Sequence, residues 1–152
     1  MTEPATGEEL PMIISGDGTR MLPGLDPLNR PFWTGGARGE LLIEHCDACG
    51  TWQHPPHDRC AACGSRAVAP RPVSGRGRVI SYGINRQAWL PTMQVPFAIV
   101  AVELDEQPGI RLISEMVDVD PETVAIGMAV TVAFIQQDEV FIPVFRPAEP
   151  AA

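Results

Sequence analysis

The stretch that decides the fold reads Cys46-Asp47-Ala48-Cys49-Gly50, then, after nine further residues, Cys60-Ala61-Ala62-Cys63-Gly64. These pairs contain all 4 cysteines of the chain. Each C-x2-C turn, or knuckle, can present two thiolates to one tetrahedral ion, and the glycine that follows can adopt the left-handed conformation that folds the chain back under a metal. The spacing therefore predicts one metal site held by Cys46, Cys49, Cys60 and Cys63.

The predicted site is structural, because four thiolates complete the tetrahedron and leave no open position for water or substrate. Zinc is the expected ion, and iron in a rubredoxin-like site with the same ligands stays open. Two disulfides are disfavoured because no secretory signal precedes the motif. A redox pair is disfavoured because both C-x2-C pairs occur in a β-rich chain. We interpret His45, His54 and His57 as packing or surface residues rather than ligands.

Composition limits the classes of function. The chain has 152 residues, 45% of them hydrophobic, with 16 prolines and 14 glycines, which favours strands and turns in one medium or two small domains. A net charge of −8 makes nucleic acid an improbable partner. No apolar run is long enough for a membrane span. The acidic, proline-broken first thirty residues are unlike a signal peptide, so we expect a cytoplasmic protein.

The N-terminal half divides into an arm and a metal-binding region. Residues 1–27 are predicted to be extended or disordered, either as a free leader or as an arm that docks on another subunit through Met12-Ile13-Ile14. Residues 28–72 are predicted to hold a helical hook, which Gly35 and Gly36 would end, and the ribbon with its knuckles. A strand over residues 40–45 leads into the first knuckle, with Glu44 opposite Ile43, and residues 65–72 form a connector.

The second half, residues 73–147, shows five predicted strands at 79–86, 97–104, 110–117, 128–136 and 140–145. A helical turn begins at Pro121, with Asp120 as its N-cap, between the third and fourth strands. That order is typical of an OB barrel, although a small antiparallel sandwich stays open. The predicted fold class is mainly β: an N-terminal rubredoxin-like zinc ribbon followed by a five-stranded OB-fold barrel, with a short helical segment before the ribbon. Residues 148–152 form a tail.

Several motifs in this order resemble a family of small proteins that carry a zinc ribbon before an OB fold. Members accompany thiolase-like enzymes of acyl-CoA metabolism, including hydroxymethylglutaryl-CoA synthase in archaea and steroid side-chain aldolases in actinobacteria. The resemblance covers about residues 28–147. Its motifs, besides the two cysteine pairs, are Phe32-Trp33, Gly39-Glu40-Leu41, Pro55-Pro56, Gly75-Arg76-Gly77, Val79-Ile80-Ser81-Tyr82, Val102-Glu103-Leu104-Asp105, Ile126-Gly127-Met128-Ala129-Val130 and Pro143-Val144-Phe145-Arg146-Pro147.

This resemblance implies a non-catalytic accessory subunit that binds and stabilises a thiolase-fold enzyme, an aldolase or a thiolase, in an α2β2 assembly. Acyl-CoA would then be reached only through the partner. The residues agree with this, since all cysteines are assigned to the metal and none is left to act as a nucleophile. Apolar side chains suited to a partner interface are Phe32, Trp33, Trp89, Leu90 and Met93.

Two other functions compete with the accessory subunit. Zinc ribbons and OB folds also bind nucleic acid, which would require a basic groove with stacking aromatic residues. An independent acyl-CoA binder without a partner is the third hypothesis. Arg76, Arg78 and Arg86 could form a small basic edge, and we assign Arg76 and Arg86 of this edge to a CoA phosphate rather than to DNA.

Overall fold

A computed structural model of the protein describes residues 10–148, so residues 1–9 of the arm and nearly all of the predicted tail lie outside the described part. The chain is mainly β, as predicted. Its strands are β1 (Ile13–Ser15), β2 (Leu41–Cys46), β3 (Trp52–Gln53), β4 (Val68–Val73), β5 (Arg76–Asn85), β6 (Phe97–Leu104), β7 (Arg111–Glu115), β8 (Ala129–Gln137) and β9 (Val140–Pro147). Between residues 10 and 148 the one α-helix is α1 (Arg30–Thr34), and 3-10 turns span Gly35–Arg38 and Pro121–Thr123.

The ribbon is a three-stranded antiparallel sheet in the order β3-β2-β4. Strand β2 lies in the centre and is buried almost throughout, and its last residue, Cys46, opens the first knuckle. The predicted connector over residues 65–72 is wrong, because most of it is strand β4, paired with β2 along its whole length. Pro70 and Pro72 are tolerated there because β4 is an edge strand, where alternate backbone positions face away from the neighbouring strand.

The helical hook differs from the prediction at its glycines. The α-helix ends at Thr34 with Gly35 as its C-cap, as predicted, but Gly35 and Gly36 go on to form a 3-10 turn that is capped by Gly39, whose φ is +71°. Both are buried, and a Cβ added to Gly36 would collide with the side chains of Phe141 and Phe134. Gly36 is therefore needed for close packing of the hook against β9 and β8, whereas a Cβ on Gly35 would collide with the Glu40 carbonyl.

The barrel has the predicted OB topology. Strand β5 pairs antiparallel with β6 and with β8, β6 pairs with β7, and β8 pairs with β9. A parallel bridge between Met116 and Phe145 joins the end of β7 to β9. The turn at Pro121–Thr123 lies between β7 and β8 as predicted, and the Asp120 carboxylate accepts the Glu122 N–H at 3.0 Å. The core is filled mainly by aliphatic side chains with Phe134 and Phe145.

The described part of the arm folds onto the barrel of its own chain. Strand β1 runs parallel to β8, with Ile14 opposite Ile135. The Phe134 N–H donates to the Met12 carbonyl at 2.9 Å, and Ile14 packs against a small cluster formed by Ala133, Ile135 and Val144. The described residues of the arm are therefore not a free leader, because they occupy the edge of β8 that β5 leaves open. Contact of the arm with another subunit stays a prediction. Within residues 10–148 we find no helix of the length and apolarity needed to cross a membrane.

Candidate functional site

The four cysteine sulfurs converge on one point. All four Sγ atoms lie within 4.8 Å of one another; Cys46 and Cys63 are 3.7 Å apart, and Cys49 and Cys60 are 3.6 Å apart. A zinc–sulfur bond of about 2.3 Å in a regular tetrahedron requires sulfur atoms about 3.8 Å apart, whereas a disulfide requires about 2.05 Å. The cysteines are free thiols. The donor set therefore fits one tetrahedral metal ion.

The two knuckles have the same backbone hydrogen bonds. The Gly50 N–H donates to the Cys46 carbonyl at 2.8 Å, and the Gly64 N–H donates to the Cys60 carbonyl at 2.9 Å. Both glycines adopt the left-handed conformation, with φ of +79° and +77°. This repeated turn places one buried and one exposed cysteine per knuckle. This geometry agrees with the role predicted for Gly50 and Gly64, which is to fold the chain back under the metal in a left-handed conformation.

The four clustered thiols perturb one another's pKa values. The pKa of Cys49 is lowered to about 6, first by the side-chain hydrogen bond with Thr51, whose Oγ1 lies 3.1 Å away. The Ser65 N–H lowers the pKa of Cys63, but burial and hydrogen bonds with the other three thiols outweigh it and raise that pKa to about 11. Clustered thiolates repel, so a cation is needed to ionise all four at neutral pH.

A buried polar pair beneath the knuckles was missed by the sequence reading. Glu44 and Gln53 are both buried, and Glu44 Oε1 accepts from Gln53 Nε2 at 3.0 Å and from the His57 N–H at 2.9 Å. Gln53 Oε1 accepts the Ala61 N–H at 2.9 Å, inside the second knuckle. The pair thus ties the sheet to the metal-binding turns. The sequence does not indicate this burial, because a glutamate at an alternating position of a strand is expected to face solvent. Its burial depends on residues that follow the first knuckle.

Two of the three histidines pack against aromatic rings, in line with the interpretation made from sequence. The His45 ring lies 4.6 Å from that of Trp52, and its Nδ1 is 2.9 Å from an oxygen of Asp47. The His54 ring lies 4.8 Å from that of Phe32, and burial lowers the pKa of His54. Among the described residues, the cluster of metal-ligand atoms consists of the four cysteine sulfurs and includes no nitrogen of His45 or His54.

Three predicted interface residues line one apolar groove of about 560 Å³, namely Trp33, Leu90 and Met93. Its remaining walls come mainly from the arm between Asp17 and Pro23, from Phe97 and Glu115, and from Ile142. Phe32 points elsewhere and packs on His54 of the ribbon. Trp89 lies beside the groove on the loop before β6 and is 69% exposed. The residues that line the groove lie up to 125 positions apart in the sequence, so their spacing could not predict the groove.

The structure does not bring Arg76 and Arg86 together. Arg76 begins β5 and Arg86 follows its last residue, so the nine strand residues between them separate the two arginines by up to roughly 30 Å. Arg86 instead forms an exposed ion pair with Glu122, at 2.6 Å. Contact of both arginines with one CoA phosphate stays a prediction that this arrangement does not favour.

Family models match both halves of the chain. A model described as ChsH2, rubredoxin-like zinc ribbon domain, matches residues 33–69, and one described as ChsH2, C-terminal OB-fold domain, matches residues 70–134. The chain is 35% identical to a solved structure titled Ltp2-ChsH2(DUF35) aldolase, with a TM-score of 0.73 over 84% of this chain and 100% of that one.

Curated relatives fall into two groups. The chain is 37% identical over 121 residues to a probable enoyl-CoA hydratase alpha subunit of Thermomonospora curvata, and 35% identical over 118 residues to the 3-oxo-4,17-pregnadiene-20-carboxyl-CoA hydratase alpha subunit of Mycobacterium tuberculosis. Each match covers 78% of this chain but 37% of the relative, so the chain spans little more than a third of their length. It is also 34% identical to a DUF35 domain-containing scaffold protein of Methanocaldococcus jannaschii, over 62% of this chain and 67% of the relative.

These findings define a protein with a cysteine-rich metal-binding ribbon and an OB fold. The chain belongs to the ChsH2 (DUF35) family.

Proposed function

We propose that this chain is a non-catalytic accessory subunit that binds and stabilises a thiolase-fold enzyme, an aldolase or a thiolase acting on acyl-CoA substrates such as those with a steroid side chain. The observation that carries the proposal is the match over the full length of a ChsH2(DUF35) chain whose structure is titled as an aldolase with Ltp2. The curated relatives support the acyl-CoA class by their names, and the scaffold proteins support the non-catalytic role.

The chemistry of the described residues supports a non-catalytic role. All four cysteines lie in the metal cluster, which leaves no thiol nucleophile. His45 and His54 are held against aromatic rings, so neither is placed as a general base beside a nucleophile. Several carboxylates are paired with arginine, as in Glu115 with Arg20 and Asp118 with Arg146. The isolated chain should therefore turn over no thiolase, aldolase or hydratase substrate.

We assign the metal as zinc, held by Cys46, Cys49, Cys60 and Cys63. Four thiolates leave the ion no open position, so it supplies folding free energy rather than chemistry. Metal binding contributes on the order of 10 kcal/mol in zinc-finger peptides, which would make the ribbon dependent on the ion.

Co-expression tests the accessory role. The probe is a thiolase-fold aldolase or thiolase from the same source as this chain, and the readout is size-exclusion chromatography with light scattering. Because thiolase-fold enzymes are usually dimers, we expect an α2β2 complex with acyl-CoA activity that the isolated chain lacks. The proposal fails if the two proteins elute separately at micromolar concentration and the enzyme alone is soluble and fully active. Salt-sensitive retention of the chain on single-stranded DNA would favour the nucleic-acid hypothesis instead.

A further inference from the structure

The outer side of the β5–β6–β7 sheet carries an exposed apolar strip, which we call the aliphatic face: Ile99, Ala101 and Ile113, with Ser81 and Gly83 beside them. In the sheet register Ile113 lies opposite Ala101, which lies opposite Ser81, and Ile99 lies opposite Gly83. Side chains opposite each other in an antiparallel sheet lie on the same face. Ile113 is 73% exposed and Ile99 43% exposed, so two large aliphatic side chains stand above a row of small residues.

The aliphatic face continues into the apolar groove. Phe97, two residues before Ile99 and so on the same side of β6, lines the groove. Glu115, which lies opposite Ile99 in the register, lines it as well. Beyond Phe97 the apolar walls of the groove include Trp33, Leu90 and Met93, and the arm and the loop before β6 add polar walls. A largely apolar surface therefore runs from the loop before β6 across β6 to β7. Single exposed apolar side chains are normal on a monomer, but a continuous apolar surface indicates an interaction site.

The charges around this surface cancel. Glu115 is paired with Arg20, and Glu103 lies between Arg78 and Arg111 in the sheet register. With Asp17, which lines the groove, three acidic and three basic groups give a local sum of zero on a chain whose net charge is −8. A neutral aliphatic surface offers no attraction to phosphates and no stacking platform for bases, so it does not suit nucleic acid. The charge of −8 on each copy also opposes self-association.

We propose that the aliphatic face and the adjoining groove are the surface that the enzyme partner covers. This rests on the proposed function and adds where the partner docks. The occupant is an uncharged, apolar patch of the thiolase-fold subunit, with an apolar side chain or short segment inserted into the groove and flat packing over Ile99 and Ile113. The solved chain that this protein matches along its whole length comes from a structure titled as an aldolase with Ltp2, which is why a heterologous enzyme, rather than a second copy, is the assigned occupant.

The test compares two exposed isoleucines. Ile113→Arg places a charge on the aliphatic face, and Ile126→Arg is the matched control, since Ile126 is 70% exposed on the loop before β8. The probe is the thiolase-fold enzyme used in the co-expression test, and affinity is measured by isothermal titration calorimetry. We expect Ile113→Arg to weaken binding by about 100-fold and Ile126→Arg to change it by about twofold or less, because only buried interface positions carry large effects.

A second variant separates a loss of binding from a loss of folding. A Cβ added to Gly83 would meet no atom within 4 Å, so Gly83→Arg should fold normally while covering the small-residue row. Circular dichroism and metal content confirm folding. If wild type binds and both face variants bind like it, the docking surface is wrong and the accessory function stands. If wild type does not bind, the accessory function itself fails. A wild-type homodimer that Ile113→Arg converts to monomer would assign the face to a second copy and overturn the proposal.

Discussion

Glu44 Oε1 accepts a hydrogen bond from Gln53 Nε2 at 3.0 Å, with both side chains buried at the base of the ribbon. The same glutamate oxygen accepts the His57 N–H, and the glutamine also bonds the Arg59 carbonyl and the Ala61 N–H. One carboxylate and one amide thus satisfy backbone groups of the segment that carries the second knuckle. The ribbon is organised by this polar pair as well as by its metal.

Removing the carboxylate should destabilise the ribbon. Glu44→Ala leaves the amide of Gln53 and the His57 N–H without an acceptor, and we expect the free energy of unfolding to fall by about 2–3 kcal/mol. Chemical denaturation in excess zinc, followed by tryptophan fluorescence, measures this. Glu122→Ala, which breaks only an exposed ion pair with Arg86, is the control and should cost less than about 1 kcal/mol. Equal effects from the two variants would contradict the role of the buried pair.

The metal prediction concerns Cys60, a buried ligand of the second knuckle. Cys60→Ser should abolish stoichiometric zinc and unfold the ribbon, because the binding free energy of a structural zinc is largely folding free energy. Elemental analysis of protein purified without chelator should show one zinc per wild-type chain. Ser65→Ala, just after that knuckle, should retain the metal. A wild-type chain with neither stoichiometric zinc nor iron would refute the site.

Short-range patterns explain why much of the fold was predictable. The two knuckles are local in sequence, so cysteine spacing alone indicates the cluster around Cys46 and Cys60. The barrel strands follow from apolar alternation, and the Asp120 cap follows from helix-start chemistry. These features depend on neighbours within a few residues, which a single sequence displays directly.

The sequence did not predict features that depend on contacts between residues far apart in the chain. Strand β4 was read as a connector because its prolines are unfavourable in a strand unless it lies at an edge, and edge position is a property of the sheet. The arm was not expected on its own barrel, since Ile14 and Ile135 pair across 121 residues. The groove and the aliphatic face likewise arise only when separate strands are placed side by side.

Acidification should destabilise the fold through His54. Burial lowers the pKa of His54 below its ordinary value of 6.5, so the unfolded chain binds this proton more readily. Its contribution to stability is therefore complete above about pH 6.5 and is lost as pH falls towards the lowered pKa. His54→Phe keeps a ring against Phe32 and removes the titration. The stability difference between variant and wild type should change between pH 7 and 5; parallel curves would contradict this, because acid release of metal affects both chains.

The two neighbouring isoleucines of β1 differ in how they contact the barrel. Ile14 packs on the cluster of Ala133, Ile135 and Val144, whereas Ile13 is 45% exposed. Ile14→Ala should lower the free energy of unfolding by about 1–2 kcal/mol, less than the 2–5 typical of a fully buried isoleucine. Ile13→Ala should cost about 0.5 kcal/mol or less. Hydrogen exchange at Phe134, which donates to Met12, reports arm release, and equal exchange in both variants would show that the arm is not held by Ile14.

The last prediction concerns Trp89, a large aromatic residue that is 69% exposed beside the groove. Loss of a central aromatic anchor costs about 2 kcal/mol or more in interfaces, so Trp89→Ala should weaken assembly with the thiolase-like subunit by about 30-fold. Folding should be unaffected, because the side chain contributes little to the core. Calorimetric titration measures the affinity, and Ile126→Ala, an exposed apolar residue outside the groove, serves as control. Unchanged affinity in Trp89→Ala would place this loop at the rim of the interface or outside it.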